Sequence, residues 1–381
     1  MSRRGPRSGV SAALLGAAVL LAVAPLRAQE APPPKEKPWY EAITLGVFLE
    51  STYTENFNHP DSSTNQFRVF DTVAGSIRLD VAEVVVQKKA SAPGETGFRI
   101  DALAGSSIPH VTAASGLFRD DVTGTAGDFD LLQAFATWVA PLGRGLKLDA
   151  GKFTTHMGYE VVDGPDGYND NVSRSLLYGW AVPISHVGLR ATYPVTDTLS
   201  AQAVVVSGWD TATDNNERLS FGAQLLYTPG PAVTVAVNVM TGPEKPQDDT
   251  DRRNSLDTWV TWKASDRWSF AVNADYGREE GDESGGGGVS WGGVAGYARV
   301  TLHERFAVSA RAEFFRDPDG ERTGTKQTLR EVTLTPEWKP AKGLAVRGEV
   351  RHDWSVAPVF EQHGRTSKSQ TTAALNVVYV Y

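Results

Sequence analysis

The chain ends in the stretch SQTTAALNVVYVY, residues 369–381, in which larger apolar side chains alternate with smaller or more polar ones. Counting back in twos from the last residue gives Tyr381, Tyr379, Val377, Leu375 and Ala373. Successive side chains of a β-strand point to opposite faces, so this period of two predicts a strand with one apolar face. Two structures fit such a strand: the edge of a soluble β-sandwich, or the last strand of a membrane barrel whose apolar face meets lipid.

The first 28 residues have the parts of a secretory signal peptide. A basic start is followed by an apolar run over residues 11–24 and by small residues up to Ala28, after which we predict cleavage. A short membrane anchor is the alternative, but the run falls below the roughly 20 apolar residues that a spanning helix needs. Residues 29–40 are rich in proline and are expected to form a periplasmic lead-in without a core of its own.

Charge and cysteine content exclude several classes of function. The formal net charge of the whole chain is −8, and removing residues 1–28 takes away four arginines and no acid, which leaves −12. Nucleic acids are bound by basic surfaces, so we expect no nucleic-acid partner. The chain has no cysteine, which excludes thiolate catalysis and zinc–sulfur sites.

Five further segments alternate with the same period of two. They are residues 218–227, 233–239, 268–276, 306–314 and 344–354. Each has one apolar face, and in the last two segments the opposite face is charged. A soluble sandwich would turn the charges to water and the apolar set to its core. A transmembrane barrel would do the reverse, with charges facing a wet lumen, so alternation alone leaves both folds open.

The lengths of the connections favour the barrel. Short turns are predicted at 141–145, 194–198, 228–231, 264–266, 303–304 and 340–343. Long polar connections are predicted at about 55–69, 106–128, 155–183, 210–217, 241–254, 279–290, 316–327 and 355–369. Short periplasmic turns that alternate with long extracellular loops are typical of outer-membrane barrels. Residues 41–381 are therefore predicted to form a single antiparallel transmembrane β-barrel of about 16 strands.

Aromatic residues are predicted to form two girdles at the membrane–water interfaces. Tyr193, Tyr227, Trp262, Trp268, Trp338 and Tyr381 lie near short turns, and Trp209, Tyr276, Trp291, Phe314 and Trp354 lie near long connections. Ordinary core aromatics are the alternative, but their positions would not sort by the length of the connection.

Charged residues on the predicted inward faces are candidates for the lining of a pore. They are Arg78, Asp80, Arg99, Asp101, Arg311, Glu313, Arg347, Glu349, Arg351 and Asp353. Lumen side chains tune the selectivity of a channel through their local field. Because both signs occur, we expect weak charge selectivity. The long connection 155–183 is expected to fold inward and narrow the pore, with Asp163, Asp166, Asp170 and Arg174 as its charged candidates.

The sequence offers no convincing signal for an enzyme, a cofactor or a metal. The seven histidines are scattered, and no HExxH stretch is present. The oxygen-rich stretch DGPDGYNDN, residues 163–171, fails the spacing of an EF-hand loop. A turn-rich solvated loop is the interpretation we favour for it, with calcium binding as the alternative.

Three stretches carry a resemblance to a known family. They are ENFNHPDSSTNQFRVFDT (55–72), RLDVAEVVVQK (78–88) and GKFTTHMGYEVVDGPDGYNDNVSRSLLYGWAVPISHVGLRATYP (151–194). The chain resembles the OmpL-like, or type-2, outer-membrane β-barrel porins of Gram-negative bacteria, most strongly from about residue 43 to residue 194. The resemblance implies a porin in the cell outer membrane, with lipid and lipopolysaccharide as partners.

The ending resembles the signal that the barrel assembly machinery reads in a last strand. Leu375, Val377, Tyr379 and Tyr381 supply its alternating apolar positions and its terminal aromatic residue, although phenylalanine is the usual last residue. Our first hypothesis is a channel for the passive diffusion of small hydrophilic solutes, since barrels of 16–18 strands leave an aqueous lumen. A barrel that serves as an adhesin or structural anchor and a secreted carbohydrate-binding sandwich are the alternatives. Porins are often trimers, so a homotrimer is included among the expected assemblies.

Overall fold

The structure, a computed structural model, describes residues 38–120, 122–281 and 287–381. The signal peptide predicted for residues 1–28 lies outside the described residues, as does most of the lead-in at 29–40, so both stay predictions. The folded unit spans Trp39–Tyr381 and opens with a single 3₁₀ turn, Trp39–Ala42.

Sixteen antiparallel strands of the described residues form one closed barrel. They are β1 (Ile43–Asn56), β2 (Ile77–Lys88), β3 (Thr96–Ala104), β4 (Phe129–Ala140), β5 (Leu146–Thr154), β6 (Ser185–Pro194), β7 (Leu199–Val206), β8 (Ser220–Gly230), β9 (Val233–Pro243), β10 (Arg252–Lys263), β11 (Trp268–Glu279), β12 (Val289–His303), β13 (Phe306–Asp317), β14 (Gln327–Ala341), β15 (Leu344–Ser355) and β18 (Ser369–Val380). Each strand pairs with its sequence neighbours, and β18 closes the barrel against β1, with Phe48 opposite Val380. This confirms the predicted fold and strand number.

The connections alternate in length as predicted. Those at one rim are short, for example between Gly230 and Val233, and those at the other rim are long. Three long connections carry secondary structure of their own: α1 (Ile108–Ser115), α2 (Leu176–Trp180) and a hairpin of β16 (Phe360–Gln362) with β17 (Arg365–Ser367). None of the helices in the described residues has the length and apolar character needed to cross a membrane.

The two faces of the wall have opposite polarity. Along β13, Phe306 and Phe314 are exposed on the outside, whereas Ser309, Arg311 and Glu313 are buried on the inside. Along β9, Val237 and Val239 keep 40% and 43% of their surface, while Arg347 on β15 keeps none. In a sandwich the valines would be covered by a second sheet, so this arrangement excludes the sandwich. It is instead the polarity of a barrel with lipid outside.

The predicted girdles need one correction. Tyr227, Trp268 and Tyr276 are exposed at the rims as expected, but Trp209 and Trp291 are almost fully buried inside the barrel, where their rings meet edge to face at 6.3 Å. Trp291 shares the inward parity of Ala295 on β12. Proximity to a long loop was therefore a poor predictor of exposure for Trp291, because the alternation of the strand decides which face of the wall a side chain occupies.

Candidate functional site

The connection of residues 155–183, which we call the inner loop, crosses the interior of the barrel. Asp166 near its tip forms an ion pair with Arg99 on β3, and Asp170 pairs with Arg299 on β12 at 2.9 Å. These two strands belong to different parts of the wall, so the tip is tied to both sides. Within this segment, α2 begins after Ser175, whose hydroxyl accepts a hydrogen bond from the backbone N–H of Tyr178 at 3.0 Å.

The tip of the inner loop reaches towards the rim of the short turns. The Tyr168 hydroxyl donates to the Glu337 carboxylate on β14 at 2.8 Å. Pro165 lies directly against Gly46 near the start of β1, where an added Cβ would come within 2.9 Å of the proline ring. The wall therefore needs a residue without a side chain at position 46 to admit the loop.

Two buried arginines of the wall hold the backbone of the inner loop. The Arg311 guanidinium on β13 donates to the Ser173 carbonyl at 2.7 Å and to the Glu160 carboxylate at 2.8 Å. Its Nε donates to Glu331 on β14, also at 2.8 Å. Arg351 on β15 donates to the carbonyl of Arg174. Because these bonds involve charged groups away from water, each is stronger than a neutral surface hydrogen bond.

A third wall arginine and two carboxylates complete the attachment. Arg347 donates to the Asn169 carbonyl at 2.7 Å and to Glu50 on β1 at 2.8 Å. Glu349 accepts the backbone N–H groups of residues 172 and 173, at 2.6 and 2.9 Å. Glu313 accepts those of the first two residues of α2, at 2.6 and 3.2 Å. The wall thus satisfies backbone groups that the loop could not satisfy by itself.

The base of the inner loop is closed by a pair of its own residues. Arg174 forms an ion pair with Asp163 at 2.9 Å, and both side chains are buried. Burial opposes the charge on Arg174, but the carboxylates of Asp163 and Glu50 outweigh it and raise the pKa of the guanidinium above its ordinary value. The loop therefore has a charged, closed base as well as a tip that is tied to the wall.

All ten residues proposed for the pore lining lie on the interior side of the wall. Arg99 and Asp101 are bonded to each other at 2.7 Å beside the loop tip, and the half-buried Arg78 donates to Ser106 at 2.8 Å. The other seven are buried: Asp80, Arg311, Glu313, Arg347, Glu349, Arg351 and Asp353. The inner loop covers most of these, so their polar atoms contact the loop and one another.

Two further connections also fold into the interior, which the sequence patterns did not indicate. Arg68, in the connection after β1, donates to Asp353 at 2.7 Å and to Thr372 at 3.1 Å. Apolar side chains of three connections meet there in one cluster that includes Phe70, Ile108 and Tyr178. Packed side chains of these connections thus occupy part of the barrel half near the long loops.

A cavity of about 520 Å³ remains between the inner loop and the wall. Strands β2, β3 and β4 line one side with Glu83, Arg99, Asp101 and Gln133, and β10 and β12 contribute Trp259 and Tyr297. The sequence patterns did not single out Glu83, Trp259 and Tyr297. Strand parity is a usable signal for Glu83, which lies on the same face of β2 as the buried Val81 and Val85.

The described residues contain no group of three or more His, Asp or Glu side chains placed to hold a metal ion. The acidic residues of the stretch 163–171 form ion pairs instead. Asp163, Asp166 and Asp170 each pair with a different arginine.

The barrel is similar to solved structures of outer-membrane proteins. The outer membrane channel DcaP of Acinetobacter baumannii has a TM-score of 0.60 at 11% identity, covering 89% of this chain and 97% of that one. An anion-selective porin from Comamonas acidovorans gives 0.58 at 10%, covering 89% and 99%. The trimer form of OmpT from Vibrio cholerae gives 0.58 at 11%, covering 89% and 99%. At such identities the likeness concerns the fold alone.

The family assignment comes from the amino-acid sequence. A search of curated proteins finds no match. Residues 42–380, nearly the whole barrel unit, match the family described as "Putative beta-barrel porin-2, OmpL-like". The chain belongs to this family of OmpL-like β-barrel porins.

Proposed function

We propose that this outer-membrane barrel forms a narrow, water-filled channel through which small hydrophilic solutes diffuse passively. The observation that carries the proposal is the inner loop, which is tied to opposite parts of the wall by Asp166 and Asp170 and leaves a polar cavity beside it. Such a loop narrows the lumen and so restricts the size of a solute that can pass. We assign no catalytic step to the protein, in keeping with its family and fold.

The ten predicted lining residues divide into two roles within this proposal. Arg99 and Asp101 line the cavity and would meet the solute. The buried residues that bond to the inner loop, of which Arg311 makes the most hydrogen bonds, would set the position of the loop and so the width of the path. Mixed charges with many mutual ion pairs give a weak net field, so we expect weak selectivity along most of the path.

Single-channel recording tests this proposal. Folded protein in a planar lipid bilayer is expected to give stable, small conductance steps, because the inner loop fills much of the lumen. If the protein forms a homotrimer, as the Vibrio cholerae OmpT form suggests, the steps should appear and vanish in groups of three equal levels. Protein that shows heat-modifiable migration on a detergent gel but no conductance would contradict the channel.

A barrel that acts through its loops, as an adhesin or structural anchor, is the second candidate. The observation in its favour is the apolar cluster of Val69, Phe70, Ile108 and Tyr178, which packs three connections together inside the half near the long loops. Under this alternative the packed loops would stiffen the outer surface of the protein, and lipopolysaccharide or another surface would be the partner. Folded barrels without conductance are the result that would favour it.

The last strand leads to a prediction about assembly. Leu375, Val377, Tyr379 and Tyr381 are exposed on the outside of β18. The backbone of Tyr381 pairs with Val47, but the residue as a whole is 74% exposed. We propose that the barrel assembly machinery reads this row, so Tyr381→Ser should lower the amount of folded barrel in the outer membrane several-fold, whereas Tyr381→Phe should not.

Refolding in detergent is the control for this prediction. Both variants should refold from urea into detergent as well as the unaltered chain, because little of the ring is packed against the protein. Poor refolding of Tyr381→Ser would show instead that the ring is needed for stability, and equal amounts of all three proteins in the membrane would contradict a role in recognition.

A further inference from the structure

The cavity beside the inner loop is lined by more carboxylates than basic side chains. Among its carboxylates, Glu160 is paired with Arg311 and Asp170 with Arg299. Asp101 and Asp166 must share a single partner, Arg99. A fifth carboxylate, that of Glu83, forms no ion pair within the described residues. Two carboxylates of this cavity therefore lack a matching arginine or lysine.

Glu83 is a buried acceptor without a donor. Its residue is 2% exposed, and its Oε2 accepts no hydrogen bond from the part of the chain that the structure describes. The carboxylate lies against the inner loop at Gly164, where an added Cβ would be 2.6 Å from that oxygen. Burial of an unpaired carboxylate costs free energy that a bound donor or cation would recover. The position therefore favours a cationic group close to this carboxylate.

The opposite side of the cavity is aromatic. The rings of Tyr159 and Tyr297 lie 4.7 Å apart between centroids, and Trp259 lies 6.3 Å from Tyr159. All three residues line the cavity. The faces of such rings attract cations, most strongly when water is excluded. The Trp259 Nε1–H has no hydrogen-bond partner in the described residues.

We propose that this cavity is a binding site for small organic cations. An ammonium group would lie near Glu83 and Asp101, and the apolar part of the solute would rest against Tyr159, Trp259 and Tyr297. The volume of about 520 Å³ lies within the range of small-molecule pockets. The inference rests on the proposed channel function, since the solute must enter the lumen.

A neighbouring basic region limits the site to this cavity. Lys147 and Arg190 line an adjacent space on the other side of Arg99, together with Lys88 and Lys89. These cations disfavour a positively charged solute there. The preference for organic cations is therefore a property of the cavity and does not describe the whole lumen.

Isothermal titration calorimetry on the full-length barrel in detergent tests the site. Choline is the probe, and its neutral carbon isostere, with a tert-butyl group in place of trimethylammonium, is the matched ligand. Choline should bind and the isostere should bind at least about tenfold more weakly, because only choline has the charge. Equal binding of the two ligands would overturn the proposal without any mutation.

Two variants and one control locate the site. Glu83→Gln should weaken choline binding about tenfold, because it removes the unpaired carboxylate. Trp259→Leu should weaken it several-fold through loss of a ring. Glu361→Gln is the control. Glu361 lies on strand β16 and does not line the cavity, so this variant removes an acid of the same type and should leave binding unchanged. The proposal is wrong if Glu361→Gln has the same effect as Glu83→Gln, or if neither cavity variant weakens binding.

Conductance measured on the same preparations separates this inference from the proposed function. Protein that conducts ions but does not bind choline would overturn the organic-cation site and leave the channel in place. Protein that binds choline in the predicted way but never conducts would overturn the channel and leave a binding cavity.

Discussion

Deleting residues 165–173 from the inner loop is expected to raise the single-channel conductance several-fold. The deletion removes Asp166 and Asp170, which tie the tip to the two parts of the wall, and Tyr168, which reaches Glu337. The base of the loop keeps the ion pair of Asp163 with Arg174, so the ends of the shortened loop stay together. Removal of the segment that crosses the lumen widens the path for ions and so raises the conductance.

Planar bilayers and liposome swelling measure this effect together. The deleted protein should also admit larger neutral sugars into liposomes than the unaltered protein does. Deletion of residues 246–250, in the polar connection between β9 and β10, is the control and should change neither quantity. An unchanged conductance of the folded 165–173 deletion would mean that the inner loop does not limit the path.

Arg311→Ala is expected to lower the free energy of unfolding by about 3–5 kcal/mol, because it leaves a buried cluster of acids without its cation. The guanidinium is buried and contacts Glu160, Glu331 and the Ser173 carbonyl. Its removal would leave the Glu160 and Glu331 carboxylates close to Glu313 without that compensation. The variant should also release the inner loop, which we expect to appear as larger and noisier conductance steps.

Arg316→Ala is the matched control for this variant. Arg316 lies on the same strand, β13, but on the exposed face, and its side chain is not among the ion pairs that bind the inner loop. The unfolding free energy of this variant should stay within about 0.5 kcal/mol of the original. Urea unfolding in detergent, followed by gel migration, provides the comparison. Equal losses for the two variants would show that Arg311 has no special role.

Local sequence patterns were sufficient to predict the strands that form the wall of the barrel. The period of two along β13 and β15 placed Phe306 outside and Arg311 and Arg347 inside, and the alternation of turn lengths gave the strand number. Both signals depend only on neighbours in the sequence, since the alternation of a strand is fixed by its backbone geometry. Trp291 was misplaced because its position near a long loop was weighed above its parity.

The side-chain contacts inside the barrel could not be predicted in the same way. That the connection 155–183 turns inward was expected, but the partners of its residues were not. Arg347 bonds to Asn169, which is 178 positions away, and Arg68 bonds to Asp353, 285 positions away. Which carboxylate a buried arginine meets depends on the diameter and register of the closed sheet, and no local pattern carries that information.

The sequence by itself determined a β-barrel, its strand number and the face that each strand turns to its surroundings, because alternation and turn length are local properties of the chain. Only the tertiary structure decided what fills the lumen. Closure of β18 on β1 brings Arg347 and Glu50 together, and this places the charges that hold the inner loop. Within the residues that the structure describes, Glu83 forms no ion pair, because the pairing of charges across a lumen is set by distances in space.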